Sequence, residues 1–108
     1  MIIGIGIDLI EVDRVIKACK KQGFLNRYFT DSEIALINKD INKSADNFAV
    51  KEAVSKMLGT GFGQVAPIDI EVLRNKNGKP YVNLYGKAND LAIKQGITHI
   101  HVSISNTK

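Results

Sequence analysis

A chain of 108 residues with 44% apolar and 24% charged residues has the size and balance of one small globular domain, not of a fibrous or disordered chain. A net charge of +4 favours an acidic partner such as nucleic acid, an anionic surface, a phosphorylated cofactor or an acidic protein. One cysteine, Cys19, excludes an internal disulfide framework and fits a reducing, cytoplasmic compartment; no run approaches the roughly 20 apolar residues of a membrane span.

Ile3, Ile5 and Ile7 alternate with Gly4, Gly6 and Asp8, a strand period ending on an acid. The start is apolar, but Asp8 arrives too early for a secretory signal. Val12, Val15, Ile16 and Cys19 then recur at helical spacing, with Gly23 as the expected stop. The other face of that helix carries Asp13, Arg14, Lys17, Lys20 and Lys21, a mostly basic stripe. Thr30-Asp31-Ser32-Glu33 spells a capping box, predicting a short helix to about Ile37. A polar loop is expected over 38–44, followed by a third helix through NFAVKEAVSKML that stops near Gly59.

Two strands at 69–74 and 79–84 flank the turn signal Asn75-Lys76-Asn77-Gly78, and Pro80 marks a late start or an edge. Ala88 to Gln95 reads as a helix stopped by Gly96, and 99–105 alternates as a final strand. Strand, three helices, two strands, helix, strand is an α+β order: a single small domain with an antiparallel or mixed sheet packed against helices. No repeat or linker divides it.

Several residues invite chemistry, and each has a plainer reading. Gly4-Ile5-Gly6 is not a dinucleotide fingerprint, because Leu9 holds the third glycine position; the glycines instead thin one face of the strand beside Asp8. Asp8 reads equally as a turn former, a helix cap or a metal ligand. Glu52 and Lys56 make either an exposed ion pair, contributing about 0.2–0.5 kcal/mol, or a hard oxygen ligand and a phosphate-facing cation. In the second reading Ser55 reaches phosphate from the same face, and Lys51 with the Gly59-Thr60-Gly61 exit suits a polyphosphate. His99 and His101 share a strand face but lack the further ligands of a zinc site, and Cys19 lies on an apolar helix face.

Four stretches occur in an order and spacing that resemble a known family. They are Gly4-Ile5-Gly6-Ile7-Asp8, Phe48-Ala49-Val50-Lys51-Glu52-Ala53 with Ser55-Lys56, Asn77-Gly78-Lys79-Pro80-Tyr81, and His101-Val102-Ser103-Ile104-Ser105. Together they make the chain similar, along its whole length, to the holo-acyl-carrier-protein synthases, the small bacterial 4′-phosphopantetheinyl transferases. The resemblance implies transfer of phosphopantetheine from coenzyme A to a serine of apo acyl carrier protein, in fatty-acid biosynthesis, leaving adenosine 3′,5′-bisphosphate. It implies Asp8 and Glu52 as Mg²⁺ ligands and Lys56 as the lysine beside the reacting phosphate, these three being the catalytic set. Ser55, Lys56, Gly59, Gly61, Lys79, Pro80, Asn106 and Thr107 are the implied coenzyme A contacts. Arg14 matches a carrier-binding arginine, with Lys17, Lys20 and Lys21 steering the acidic carrier. A homotrimer is implied, with coenzyme A between subunits and no nucleic-acid or membrane partner.

The sequence departs from the family at three places. Asn106 stands where a histidine is usual, and Asn47 where a basic residue usually precedes FAxKEA, so both changes remove phosphate-binding charge. The family also continues past Thr-Lys into another strand, whereas the sequence ends at Lys108, so the last strand is expected to leave an edge bare. From these departures a second reading is kept: a non-catalytic basic module binding an acidic protein or nucleic acid.

Overall fold

Ile2–Ile7 forms β1, as its alternation predicts; Ile7 is buried, and Ile3 and Ile5 pack on the core from the same side. The computed structural model describes residues 1–106, with backbone alone for Asn106. Asp8 turns the chain directly into α1 (Leu9–Cys19): its carboxylate accepts from Glu11 N–H at 2.8 Å, satisfying an orphan amide of the first turn.

Helix α1 ends at Cys19 with Lys20 as its C-cap, short of the expected stop at Gly23, which has another role. At φ 83° it occupies a left-handed conformation that favours glycine, and it is the N-cap of a short helix α2 (Phe24–Tyr28) that the sequence reading missed. Phe24 stacks against Phe48 and Tyr28 meets it edge-on, as Phe62 does in turn, so α2 is held by aromatic packing rather than by its own five residues. The capping box forms as predicted, Thr30 and Glu33 bonding each other's backbone at the start of α3 (Asp31–Lys39).

The next helix, α4, spans Asn42–Met57 and starts earlier than expected. Part of the expected loop is therefore helical, because Ser44 is buried and its hydroxyl donates to Ile41 O, closing the first turn. Gly59, at φ 84°, ends the helix as predicted, and short 3-10 turns follow at Gly61–Gly63 and Pro67–Asp69.

Antiparallel β2 (Ile70–Arg74) and β3 (Pro80–Leu84) pair from Ile70↔Leu84 to Arg74↔Pro80, which places the proline at the outer end of the ladder. After α5 (Gly86–Lys94), β4 (His101–Asn106) returns to pair in parallel with β1, from Ile2↔His101 to Ile7↔Asn106. The described residues thus hold one parallel and one antiparallel strand pair, the mixed α+β architecture expected.

Val50 and Val54 of α4 and its C-cap Leu58 fill the core with Ile70 and Val72 of β2, Ala88 and Ala92 of α5, and Val102 of β4. Each fully buried aliphatic contributes roughly 1.5–3 kcal/mol over an exposed one.

A polar cluster lies beside this core. Both oxygens of the buried Glu33 carboxylate are filled: Oε1 accepts from Lys51 Nζ at 2.7 Å and Thr30 N, Oε2 from Asn47 Nδ2 at 2.9 Å and Val72 N. Lys51 also donates to Pro67 O and Ile70 O, three acceptors for the three protons of an ammonium group. Burial pushes the Glu33 carboxyl up and the Lys51 amine down, against the attraction between them. A second carboxylate, Glu71, accepts from Thr30 Oγ1 at 2.6 Å, Asn83 Nδ2 and Tyr85 OH, tying the α3 cap to both hairpin strands.

Candidate active site

β1, α1 and α4 enclose an open cleft of about 570 Å³. Its apolar lining comprises the Gly4–Ile7 stretch of β1, Val15 of α1, and three alanines, Ala45, Ala49 and Ala53, with Phe48 of α4. A Cβ added at Gly4 would meet nothing within 4 Å, and one at Gly6 would reach only Ser105 Oγ at 4.0 Å. The glycines therefore leave room at the strand, as the sequence pattern suggested.

Four charged residues stand on the rim: Glu11 and Arg14 from α1, Glu52 and Lys56 from α4. Each pair is one helical turn apart on its own helix, and both pairs line the same opening. Arg14 Nη2 lies 3.3 Å from Glu11 Oε1, and Lys56 Nζ lies 3.8 Å from Glu52 Oε1. The second contact is long, and both of its side chains are more than half exposed. Such a pair is weakly bound and can turn to a ligand at small cost. Lys56 also lies in the last turn of α4, where the helix dipole favours a cation.

The other expected site residues divide. Asp8 follows Ile7 of the cleft wall and spends Oδ1 on the α1 cap, so the helix-cap reading holds for that oxygen. Gly59 and Gly61 mark the α4 exit, both at positive φ, and Lys79 and Pro80 lie on the β2–β3 hairpin; none of these four lines the cleft. Thr107 lies outside the described residues, as does the side chain of Asn106. Lys17 on α1 pairs with Asp13 at 3.0 Å, and Lys20 and Lys21 follow, exposed, at the helix end.

Three expectations are corrected. Ser55 does not share the face of Glu52 and Lys56: it is fully buried, and its hydroxyl donates to Glu52 O at 2.7 Å within the helix. Lys51 does not face a polyphosphate, because all three of its protons are taken inside the protein. Asn47 likewise stands in no phosphate site; it is buried and bonds Glu33 and Val72 O, so the charge difference at that position bears on the interior.

Sequence reasoning missed Glu11 on the rim. Its signal was present: Asp8 and Glu11 have cap spacing, and Glu11 stands one turn before Arg14. His99 and His101 stack with centroids 6.2 Å apart. Among the described residues no three His, Cys, Asp or Glu side chains gather as a metal cluster, and no helix is long and apolar enough to cross a membrane.

Residues 4–105 match the model of the 4′-phosphopantetheinyl transferase superfamily. The chain is 58% identical over 108 residues to a holo-acyl-carrier-protein synthase of Lachnoclostridium phytofermentans, covering all of this chain and 88% of that one. Among solved structures, the Neisseria meningitidis holo-acyl-carrier-protein synthase aligns with a TM-score of 0.74 at 31% identity, over 94% of this chain and 84% of that one. The Helicobacter pylori synthase in complex with coenzyme A aligns with a TM-score of 0.63 at 35% identity, over 73% of this chain and 71% of that one. The chain is therefore an enzyme that belongs to the holo-acyl-carrier-protein synthases of the 4′-phosphopantetheinyl transferase superfamily.

Proposed function

We propose that this cleft moves 4′-phosphopantetheine from coenzyme A to a serine hydroxyl of an apo acyl carrier protein. The products are holo acyl carrier protein and adenosine 3′,5′-bisphosphate, and the step serves fatty-acid biosynthesis in the cytoplasm. The observation that carries the reading is the convergence of Glu52, Lys56 and Arg14 on one glycine-walled opening.

In this reaction the serine oxygen forms a bond to the phosphorus next to pantetheine. The bond from that phosphorus to the bridging pyrophosphate oxygen breaks, and adenosine bisphosphate leaves with the electron pair. Lys56 places a cation where negative charge builds on the leaving phosphate. The serine proton passes to a carboxylate of the site or to a water that the carboxylate orders. The apolar lining accommodates the thin pantetheine arm. Arg14 stands on the same rim and, with Lys17, Lys20 and Lys21 along α1, offers an acidic carrier a basic approach to the reacting groups.

Asp8 and Glu52 are the residues that would hold Mg²⁺. Two exposed carboxylates beside the opening fit an ion that takes one or two carboxylates and fills its remaining positions with water and phosphate oxygens. When bound, the ion supplies positive charge to a pyrophosphate.

Met1 and Ile2 at the start of β1, and Leu9 and Ile10 at the start of α1, are exposed large apolar residues, which supports the homotrimer as the working assembly. The deciding experiment incubates the protein with apo acyl carrier protein, coenzyme A and Mg²⁺ and reads the carrier's intact mass. The expected result is a gain of one phosphopantetheine, abolished by chelator; no gain with any carrier overturns the reading.

A further inference from the structure

Helix α4 carries apolar or small residues almost all the way round, including Ala45, Phe48, Ala49, Val50, Ala53 and Val54. Hydrophobic burial has no direction of its own. A helix without a narrow apolar stripe is therefore not fixed in rotation by burial alone.

The hydrogen bonds that α4 makes to the Glu33 carboxylate lie along one line. Asn47 and Lys51, one turn apart, both donate to the Glu33 carboxylate from the first turn of α3. Asn47 also reaches Val72 O on β2, and Lys51 reaches Pro67 O and Ile70 O at the entry to that strand. These side chains are fully buried, and the Glu33 carboxylate is itself anchored by Thr30 N and Val72 N. Hydrogen bonds weaken steeply when bent, so this set tolerates little rotation.

Successive helix residues are about 100° apart, which sets the Glu52–Lys56 line about 140° round from the Asn47–Lys51 line. Fixing one line fixes the other. A rotation of about 20° would carry a side-chain head at a radius of about 6 Å through about 2 Å, a displacement large enough to matter for oriented catalysis.

We propose that Glu33, Lys51 and Asn47 are positioning residues that lock the rotation of α4 about its axis and so hold Glu52 and Lys56 over the cleft. The predicted effect on turnover rests on the proposed transfer reaction; the effect on helix rotation does not.

The test reads rotation and turnover separately. Glu52→Cys, Ala53→Cys, Ser55→Cys and Lys56→Cys are each made in a Cys19→Ser chain, with and without Glu33→Gln/Lys51→Met, and labelled with a thiol reagent. With the network intact, positions 52 and 56 label fast and position 55 is protected. Without it, labelling at 55 rises at least tenfold relative to 52. In the chain that keeps Glu52 and Cys19, the same double replacement lowers kcat at least tenfold and leaves the carrier KM unchanged.

A folded double variant with the original labelling order, or with an equal rise at every position, overturns the proposal. If the double variant does not fold, Asn47→Leu, which keeps the ion pair, is read by the same two criteria. An unaltered chain that transfers no phosphopantetheine would refute the proposed function, while the labelling order would still decide the role of the network.

Discussion

Lys51 Nζ lies 2.7 Å from Glu33 Oε1 with both side chains sealed from water, while the next residue, Glu52, stands exposed on the rim of the cleft. Neighbours in sequence thus serve opposite sides of α4. Removing one member of a buried pair leaves the other charge without compensation, which costs about 3–5 kcal/mol. Lys51→Met should lose stability on that scale in urea unfolding, and adding Glu33→Gln should restore part of it. Equal midpoints for wild type and Lys51→Met would contradict this account.

Glu52 behaves differently. Its 3.8 Å contact with Lys56 is exposed, so Glu52→Ala should change stability by no more than about 0.5 kcal/mol. Turnover should nevertheless fall about a hundredfold or more, the scale seen when a group acting on transition-state charge is lost. Thermal unfolding and carrier mass, measured on one preparation, separate the two effects. A variant that still charges the carrier at the wild-type rate would remove Glu52 from the chemistry.

Arg14→Glu reverses a charge on the approach side of the cleft. The carrier KM should rise about tenfold and the effect should shrink as salt is added, because exposed charges are screened. Coenzyme A binding should stay within about twofold, since the arginine is assigned to the carrier. Unchanged carrier kinetics at low salt would end the α1 docking assignment.

Glu71 sets an acid limit. Burial raises its carboxyl, but the hydrogen bonds from Thr30, Asn83 and Tyr85 together outweigh burial and hold it below the ordinary 4.5. A lowered folded value means that the unfolded chain binds protons more readily, so stability is present above 4.5 and lost as pH falls through the folded value. Glu33, raised by burial, has the opposite sign: its contribution falls as pH rises from 4.5 through its folded value. Glu71→Gln should flatten the acid limb below 4.5 and leave the Glu33 window unchanged. An acid limb of unaltered slope would show that Glu71 does not titrate with folding.

Local signals were legible in the sequence, and long-range ones were not. Thr30 and Glu33 announce their capping box because the bonds span three residues. The further partners of Glu33 sit 14, 18 and 39 residues away, at Asn47, Lys51 and Val72, and no spacing rule connects them. Helix α2 escaped notice because five residues carry no period and the aromatic contacts that hold it come partly from α4 and the loop beyond. Ser55 misled because its hydroxyl found a carbonyl within its own helix. Glu52, Lys56 and Arg14 were legible as candidates, but that they stand around one opening depends on how α1 packs against α4.

The ladder between β1 and β4 has a consequence for how the molecule is made. Its partners lie about a hundred residues apart, so the first strand cannot complete its pairing until nearly the whole described chain has been synthesised. At roughly 5–20 residues per second, β1 waits several seconds on the ribosome, whereas helices form within about a microsecond. Throughout that interval an isoleucine-rich edge stands unpaired, open to association with other nascent chains. The strand that walls the cleft is thus among the last to gain its ladder, and the glycines that keep the cleft open also weaken that strand's tendency to pair wrongly while it waits.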